Sequence, residues 1–314
     1  MTTRTAPFID DTGSQVPVTR VFHWGRWAAG TISLLVVGWL AWLIIRNPHL
    51  DWGEVWNFLF DGKILSGVWV TIQISILATV VGLVLGVLLA IMRLAHNPVL
   101  RSLSWFYIWF FRGTPLIVQL IFWYNLAFLF PHLILKIPFT EVGVFWDTNR
   151  VMTGFTAAML GLGLNMAAYF AETVRAGIQA VDEGQTDAAY AMGMTPAQRM
   201  RYIVLPQALR IIIPPTGNEF ISMLKTTSLV YVVAGNDLMT NASQIYKTNN
   251  LIMELLIVAS AWYMLMTAIA TWLQSRLERR YGRDAVRLVR GGGLTDRLRG
   301  QAIPARPVGE GAGA

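Results

Sequence analysis

The residues best able to do chemistry in this sequence are polar and ionisable groups set inside apolar stretches. Between Ile211 and Val233, an otherwise apolar segment carries Pro214, Pro215, Asn218, Glu219, Lys225, Thr226, Thr227 and Ser228. Asn165 lies in an earlier apolar stretch, and Glu172 and Arg175 follow it at i and i+3, a spacing that lets the two charges pair on one face of a helix. Ionisable groups in such settings are costly and usually face protein or water, so binding, gating or interhelical pairing is their natural chemistry. Catalysis is not indicated, because no convergent nucleophile, dyad or metal cluster accompanies them. The four histidines, at 23, 49, 96 and 132, show no HExxH spacing. With no cysteine, disulfides and thiolate metal sites are excluded. The phosphate-cradling GxxxxGK[ST] loop is also missing, since Gly62 and Lys63 lack the upstream glycine.

The elements that must position these groups are membrane spans. The chain is 54% hydrophobic and 14% charged, with a mean hydropathy of +0.49, against roughly 25% charged in soluble domains. Ile64 to Met92 contains no charge and exceeds the roughly 20 residues needed to cross a bilayer. Six spans are expected: Trp27 to Ile45, Ile64 to Met92, Leu116 to about Leu135, Val151 to about Ala171, Ile211 to about Val233, and Leu251 to Trp272. Arginines alternate accordingly. Arg4, Arg20 and Arg26 precede the first span, Arg93, Arg101 and Arg112 follow the second, and Arg175, Arg199, Arg201 and Arg210 follow the fourth. Nine arginines lie between Arg276 and Arg306, beyond the sixth, whereas acidic residues such as Asp51, Asp61, Glu141 and Asp147 dilute the opposite loops. By the positive-inside rule both termini face the cytoplasm. Topology thus accounts for the net charge of +7, and no aromatic or RNP-like motif supports nucleic-acid binding.

The first span, 27–45, follows a polar segment, 1–26, too long for a secretory signal, so it reads as a retained helix. The tail 281–314 is rich in Gly, Pro and Arg and is expected to be disordered, with weak affinity for anionic membrane lipid.

Arg112, Gly113, Thr114 and Pro115 read as a corner at a membrane face. In the fifth span Lys225 lies about 22 Å along the axis from Arg210, and Asn165 lies about 15 Å from Arg175. These residues, with Glu219, Thr227 and Ser228, could line a polar substrate pathway in the middle to outer half of the bilayer. Interhelical hydrogen bonding is the alternative for Asn165 and Lys225. Glu172 and Arg175 read as a structural or gating pair.

Between the fourth and fifth spans stands "DAAYAMGMTPAQRMRYIVLP", Asp187 to Pro206. Ala188, Ala189 and Ala191 favour helix, Asp187 suits a first turn, and Gly193 suits a helix stop. Thr195 and Pro196 then supply a second cap and first turn, so two short helices with a glycine corner are expected. A docking surface and a linker lying on the membrane face both fit this reading.

The spacing of Asp187, Ala188, Ala189, Gly193, Ile203, Leu205 and Pro206 resembles the EAA signature of ATP-binding-cassette importer permeases, with Asp187 where the family usually has Glu. "FRGTPLIVQL" at 111–120, "AAYFAETVRAGIQAVDEGQ" at 167–185, "LPQALRIIIPPTGNEFI" at 205–221 and "KTTSL" at 225–229 look like the polar amino-acid branch, histidine, glutamine and glutamate permeases included. Thr226 stands where an acidic residue is common. The likeness covers roughly 64–280, leaving the first span and the tail outside.

That resemblance implies an all-α integral membrane protein: a five-helix importer core plus an extra N-terminal span, with a cytoplasmic coupling helix. It implies a permease of the bacterial cytoplasmic membrane that moves a polar amino acid by alternating access. Its partners would be cytosolic ATPase subunits carrying ATP and Mg, a second permease subunit of the same or a related kind, and an extracytoplasmic solute-binding protein. Coupling would pass through Asp187, Ala188, Ala189, Gly193, Leu205 and Pro206. A stand-alone secondary transporter or channel would explain the spans equally well, but not the loop.

Overall fold

The computed structural model describes residues 8–9, 15–16, 24–136 and 143–281. It divides into two compact units, 1–52 and 53–314. The first contains the short antiparallel strands β1 (Phe8–Ile9) and β2 (Gln15–Val16) and the helix α1 (Trp24–Ile45). At 22 residues α1 is about 33 Å long, enough for the ~30 Å hydrocarbon core. It is apolar all round and every residue is exposed, a pattern suited to a lipid environment.

The second unit is built on helix packing. After α2 (Trp52–Leu59), Asp61 caps α3 (Gly62–Leu94) by accepting from the Lys63 amide at 2.8 Å. Next come α4 (Pro98–Gly113) and α5 (Leu116–Tyr124), bent by 101°. The bend has a local cause. Thr114, which precedes Pro115, is extended at φ −102°, ψ 139°, the region a following proline imposes, and Pro115 has no N–H to continue a helix.

The expected third span, Leu116 to about Leu135, is therefore not one helix. α5 has nine residues, about 13.5 Å, and stops at Asn125. A 3-10 turn (Leu126–Phe128) leads to a hairpin, β3 (His132–Lys136) with β4 (Gly143–Asp147), in the register His132 opposite Asp147. A short α6 (Thr148–Val151) follows, capped by Asp147.

The fourth span begins at Gly154 rather than Val151, as α7 (Gly154–Gln179). It packs along α3 through small residues. A Cβ on Gly86 would come within 2.6 Å of Phe170 Cβ, and one on Gly82 within 2.9 Å of Met166 Cβ. Such close approach lets dispersion contacts hold helices together where lipid gives no hydrophobic drive. Ile74, Ala78, Leu120, Leu162, Met166, Phe170, Met223 and Val230 form the core.

Past α7 come α8 (Glu183–Ala191), α9 (Pro196–Arg199), a π turn (Met200–Val204) and α10 (Leu205–Thr226). The π turn stands where the Pro206 ring would otherwise crowd the Tyr202 carbonyl in a regular helix. Inside α10, Pro214 and Pro215 remove two further helix donors, and the Gln274 amide donates to the Pro214 carbonyl at 3.3 Å. A 3-10 segment (Thr227–Val233) closes the fifth span. The sequence reading missed α11 (Leu238–Asn249), capped by Asp237, which leads to α12 (Ile252–Tyr281).

Among the described residues, α1, α3, α7 and α12 are long and apolar enough to cross a membrane, and the bent α4–α5 pair makes a fifth candidate. α10 is long enough at about 33 Å. Its polar residues keep it out of that set. Of the tail 281–314, expected to be disordered, Tyr281 ends α12 and 282–314 lie outside the described residues, as does most of 1–26.

Candidate functional site

The α4–α5 bend opens one side of a cavity of about 510 Å³ with a mixed lining, apolar at Leu162, Met166, Met223 and Leu229. Arg112, Thr114 and Leu116 line it from the bend, Asn165 and Tyr169 from α7, and Glu219, Ser222 and Thr226 from α10. These α10 positions follow steps of three and four, so they share one helical face. The Arg112 guanidinium lies over the Tyr169 ring, 5.2 Å from its centroid. One cation and one carboxylate thus face the same water-accessible space.

Asn165 stands both at the cavity wall and in a network between helices. It lines the cavity, and its amide donates to the Phe111 carbonyl at 2.9 Å and to Gln119 Oε1 at 3.3 Å. The Gln119 amide in turn donates to the Phe111 carbonyl at 3.0 Å and to Thr114 Oγ1 at 2.6 Å. The network supplies donors to carbonyls at the end of α4. It holds the bend that places Arg112.

Of the other expected pathway residues, Glu219 reaches the cavity and three do not line it. Lys225 is exposed. Thr227 is fully buried, donating to the Leu224 carbonyl at 2.7 Å, and Ser228 is half-buried. Arg112, read from the sequence as a corner, also lines the cavity. Ser222 and Thr226 were missed as cavity residues, although their spacing from Glu219 carried the signal.

Glu172 and Arg175 do pair, with Arg175 Nη2 to Glu172 Oε2 at 2.6 Å and Nε to the same oxygen at 3.0 Å. Arg175 also donates to Gln179. Among the described residues no group of three or more His, Cys, Asp or Glu gathers to hold a metal.

The second feature is the 183–206 loop. Asp182, not Asp187, caps its first helix, accepting from the Gly184 amide at 2.8 Å. Asp187 falls mid-helix because α8 begins at Glu183, four residues earlier than the alanine run suggests. Ala189 is buried, whereas Asp187, Ala188, Tyr190 and Met192 are exposed.

Gly193 ends α8 at φ +76°. Its amide donates to the Tyr190 carbonyl at 2.9 Å, and the Met194 amide donates to the Ala189 carbonyl at 3.1 Å, the paired bonds of a Schellman corner. Nothing lies within 4 Å of a Cβ placed there, so backbone conformation alone calls for glycine. Thr195 and Gln198 then form a capping box, with Pro196 in the first turn. Leu205 and Pro206 begin α10, but no break separates them from α9 and the π turn. Val181 and Val204, on either side of α8 and α9, cluster with Ala90 of α3, Val174 of α7 and Ala208 and Ile212 of α10.

Residues 82–283 match the family model described as binding-protein-dependent transport system inner membrane component. The chain is 41% identical over 267 residues to the arginine transport system permease protein ArgU of Corynebacterium glutamicum, covering 84% of this chain and 83% of that protein. It is 37% identical to the L-cystine transport system permease protein TcyL of Bacillus subtilis, over 70% of this chain and 87% of the other. Among solved structures, an amino acid ABC transporter with histidines is similar at a TM-score of 0.60 and 38% identity, over 69% of this chain and 94% of that one.

Proposed function

The chain belongs to the family of binding-protein-dependent transport system inner membrane components, and from that premise we propose that it carries a polar amino acid through the Arg112–Glu219 cavity. The chain is a membrane permease component and not an enzyme. One observation carries the substrate assignment: a guanidinium and a carboxylate line a single cavity of about 510 Å³. A zwitterion brings the complementary pair. Its carboxylate suits Arg112, its ammonium suits Glu219, and hydrogen bonds to charged groups contribute about 1.5–3 kcal/mol each.

The name of one relative makes arginine the first substrate to try. Energy comes from separate ATPase subunits that carry ATP and Mg. The α8–α9 loop is their docking element, because it exposes Asp187, Ala188, Tyr190 and Met192 on a short helix whose two flanks, at Val181 and Val204, are packed against α3, α7 and α10. A second permease subunit and an extracytoplasmic solute-binding protein complete the importer, which works by alternating access.

Proteoliposomes holding this chain with its ATPase and binding protein should accumulate radiolabelled arginine or another polar amino acid only when ATP is supplied. Accumulation driven by an ion gradient without the ATPase would instead establish a stand-alone transporter.

The loop and the arginine-rich ends of the spans face the cytoplasm in this reading. Single cysteines at Lys247 should react with an impermeant thiol reagent outside intact cells, and those at Gln198 should not. Labelling at Gln198 would invert the orientation and remove the docking assignment.

A further inference from the structure

Three arginines converge at the α3–α4 corner, around a space that shares no lining residue with the substrate cavity. A space of about 270 Å³ is lined by Arg93 from the last turn of α3, Arg101 from α4, and Arg175 and Gln179 from α7. Arg175 is compensated by Glu172. Among the described residues, neither Arg93 nor Arg101 takes part in an ion pair. Like charges facing one small space repel each other, and an anion between them converts that repulsion into attraction.

A second space, of about 500 Å³, adjoins the first through their shared Arg93 and is walled by Trp105, Ile108 and Trp109 together with Arg112, Tyr169 and Glu172. Of these, Arg112 and Tyr169 also line the substrate cavity. Trp105 and Trp109 are exposed and stacked, with ring centroids 6.1 Å apart. Tryptophans of this kind are enriched at membrane–water interfaces, where an apolar ring meets lipid. A charged slot thus opens onto an aromatic shelf.

We propose that this corner binds an anionic phospholipid, its phosphate among Arg93, Arg101 and Arg175 and the start of an acyl chain along Trp105 and Trp109. Basic pockets between spans suit anionic headgroups. A free phosphate would use the arginines and leave the shelf without a role. Bound there, the lipid bridges the end of α3 to α4 and α7. It joins the corner to the helix that carries Arg112.

Native mass spectrometry of the intact chain in detergent, supplied with phosphatidylglycerol or phosphatidylcholine, tests the proposal. The unaltered chain should retain at least five times more phosphatidylglycerol than phosphatidylcholine. The double variant Arg93→Gln, Arg101→Gln should lose that preference, while Arg199→Gln, Arg201→Gln, equal in charge change, should keep it. A Trp105→Ala, Trp109→Ala variant should weaken retention with all three arginines intact, which guards against misfolding of the arginine variant.

Equal loss in the Arg199, Arg201 variant would reduce the effect to overall charge and overturn the proposal. Displacement of the lipid by millimolar inorganic phosphate would make the corner a free-anion site. Unchanged lipid retention in the Arg93, Arg101 variant would overturn the proposal. Since the readout needs neither ATP nor amino acid, its failure would leave the importer reading intact.

Discussion

Gly193→Val is expected to lower uptake at least tenfold while the chain reaches the membrane in normal amounts. Gly193 sits at φ +76°, where a residue with a Cβ pays roughly 1–2 kcal/mol and a β-branched one more. No neighbour would meet the added methyl groups, so the cost falls on the backbone corner alone. The chain can relieve it by opening the bonds from Gly193 to Tyr190 and from Met194 to Ala189, which turns α8 away from its seat. The spans depend on bilayer burial and should insert as before.

Uptake, membrane abundance and ATPase co-purification should be measured side by side. Gly193→Asn should retain most activity, because asparagine also enters the left-handed region. Asp187→Glu should be tolerated too, since it keeps the charge at an exposed position. Full uptake by Gly193→Val with the ATPase still bound would sink the docking role.

The second large effect is expected at Glu219. Glu219→Gln keeps the size and deletes the charge, so the ammonium of a bound amino acid loses about 1.5–3 kcal/mol, a tenfold or greater fall in affinity. Lys225→Met should change uptake less than twofold, because Lys225 is exposed and does not line the cavity. Both variants need normal assembly and basal ATP hydrolysis for the comparison to count. The reverse pattern, with Lys225→Met inactive and Glu219→Gln normal, would move the site to the exposed face of α10.

Much of this arrangement was legible in residue type and spacing. Charge-free length marked α3, and Thr195 with Pro196 marked the start of α9. Gly193 announced the corner, because a left-handed stop is a local backbone requirement that one residue can signal. The bend after Gly113 was legible as a corner, but its angle was not. The Asn165–Gln119–Thr114 network that holds it joins residues up to 51 positions apart.

The third span was misjudged because apolar composition cannot distinguish a helix from a hairpin. Leu133, Ile134 and Leu135 are as apolar in β3 as they would be in a helix. Lys225 was favoured for its charge and depth alone. Rotation about α10 decides which side chains meet the cavity, and that phase sets Glu219, Ser222 and Thr226 on one side.

The run from α9 through the π turn to the end of α10 has a mechanical consequence. Thirty-one residues without a break make a strut about 46 Å long, so a tilt of roughly ten degrees at the loop would carry the far end about 8 Å. Pro214 and Pro215 divide that strut close to its upper third, leaving about 28 Å of lever below a joint that lacks two of its helix bonds. Glu219 lies just above the joint. Motion imposed at the loop would then reach the cavity as rotation of a short upper arm, and the Gln274 bond to Pro214 sets how stiffly that arm follows.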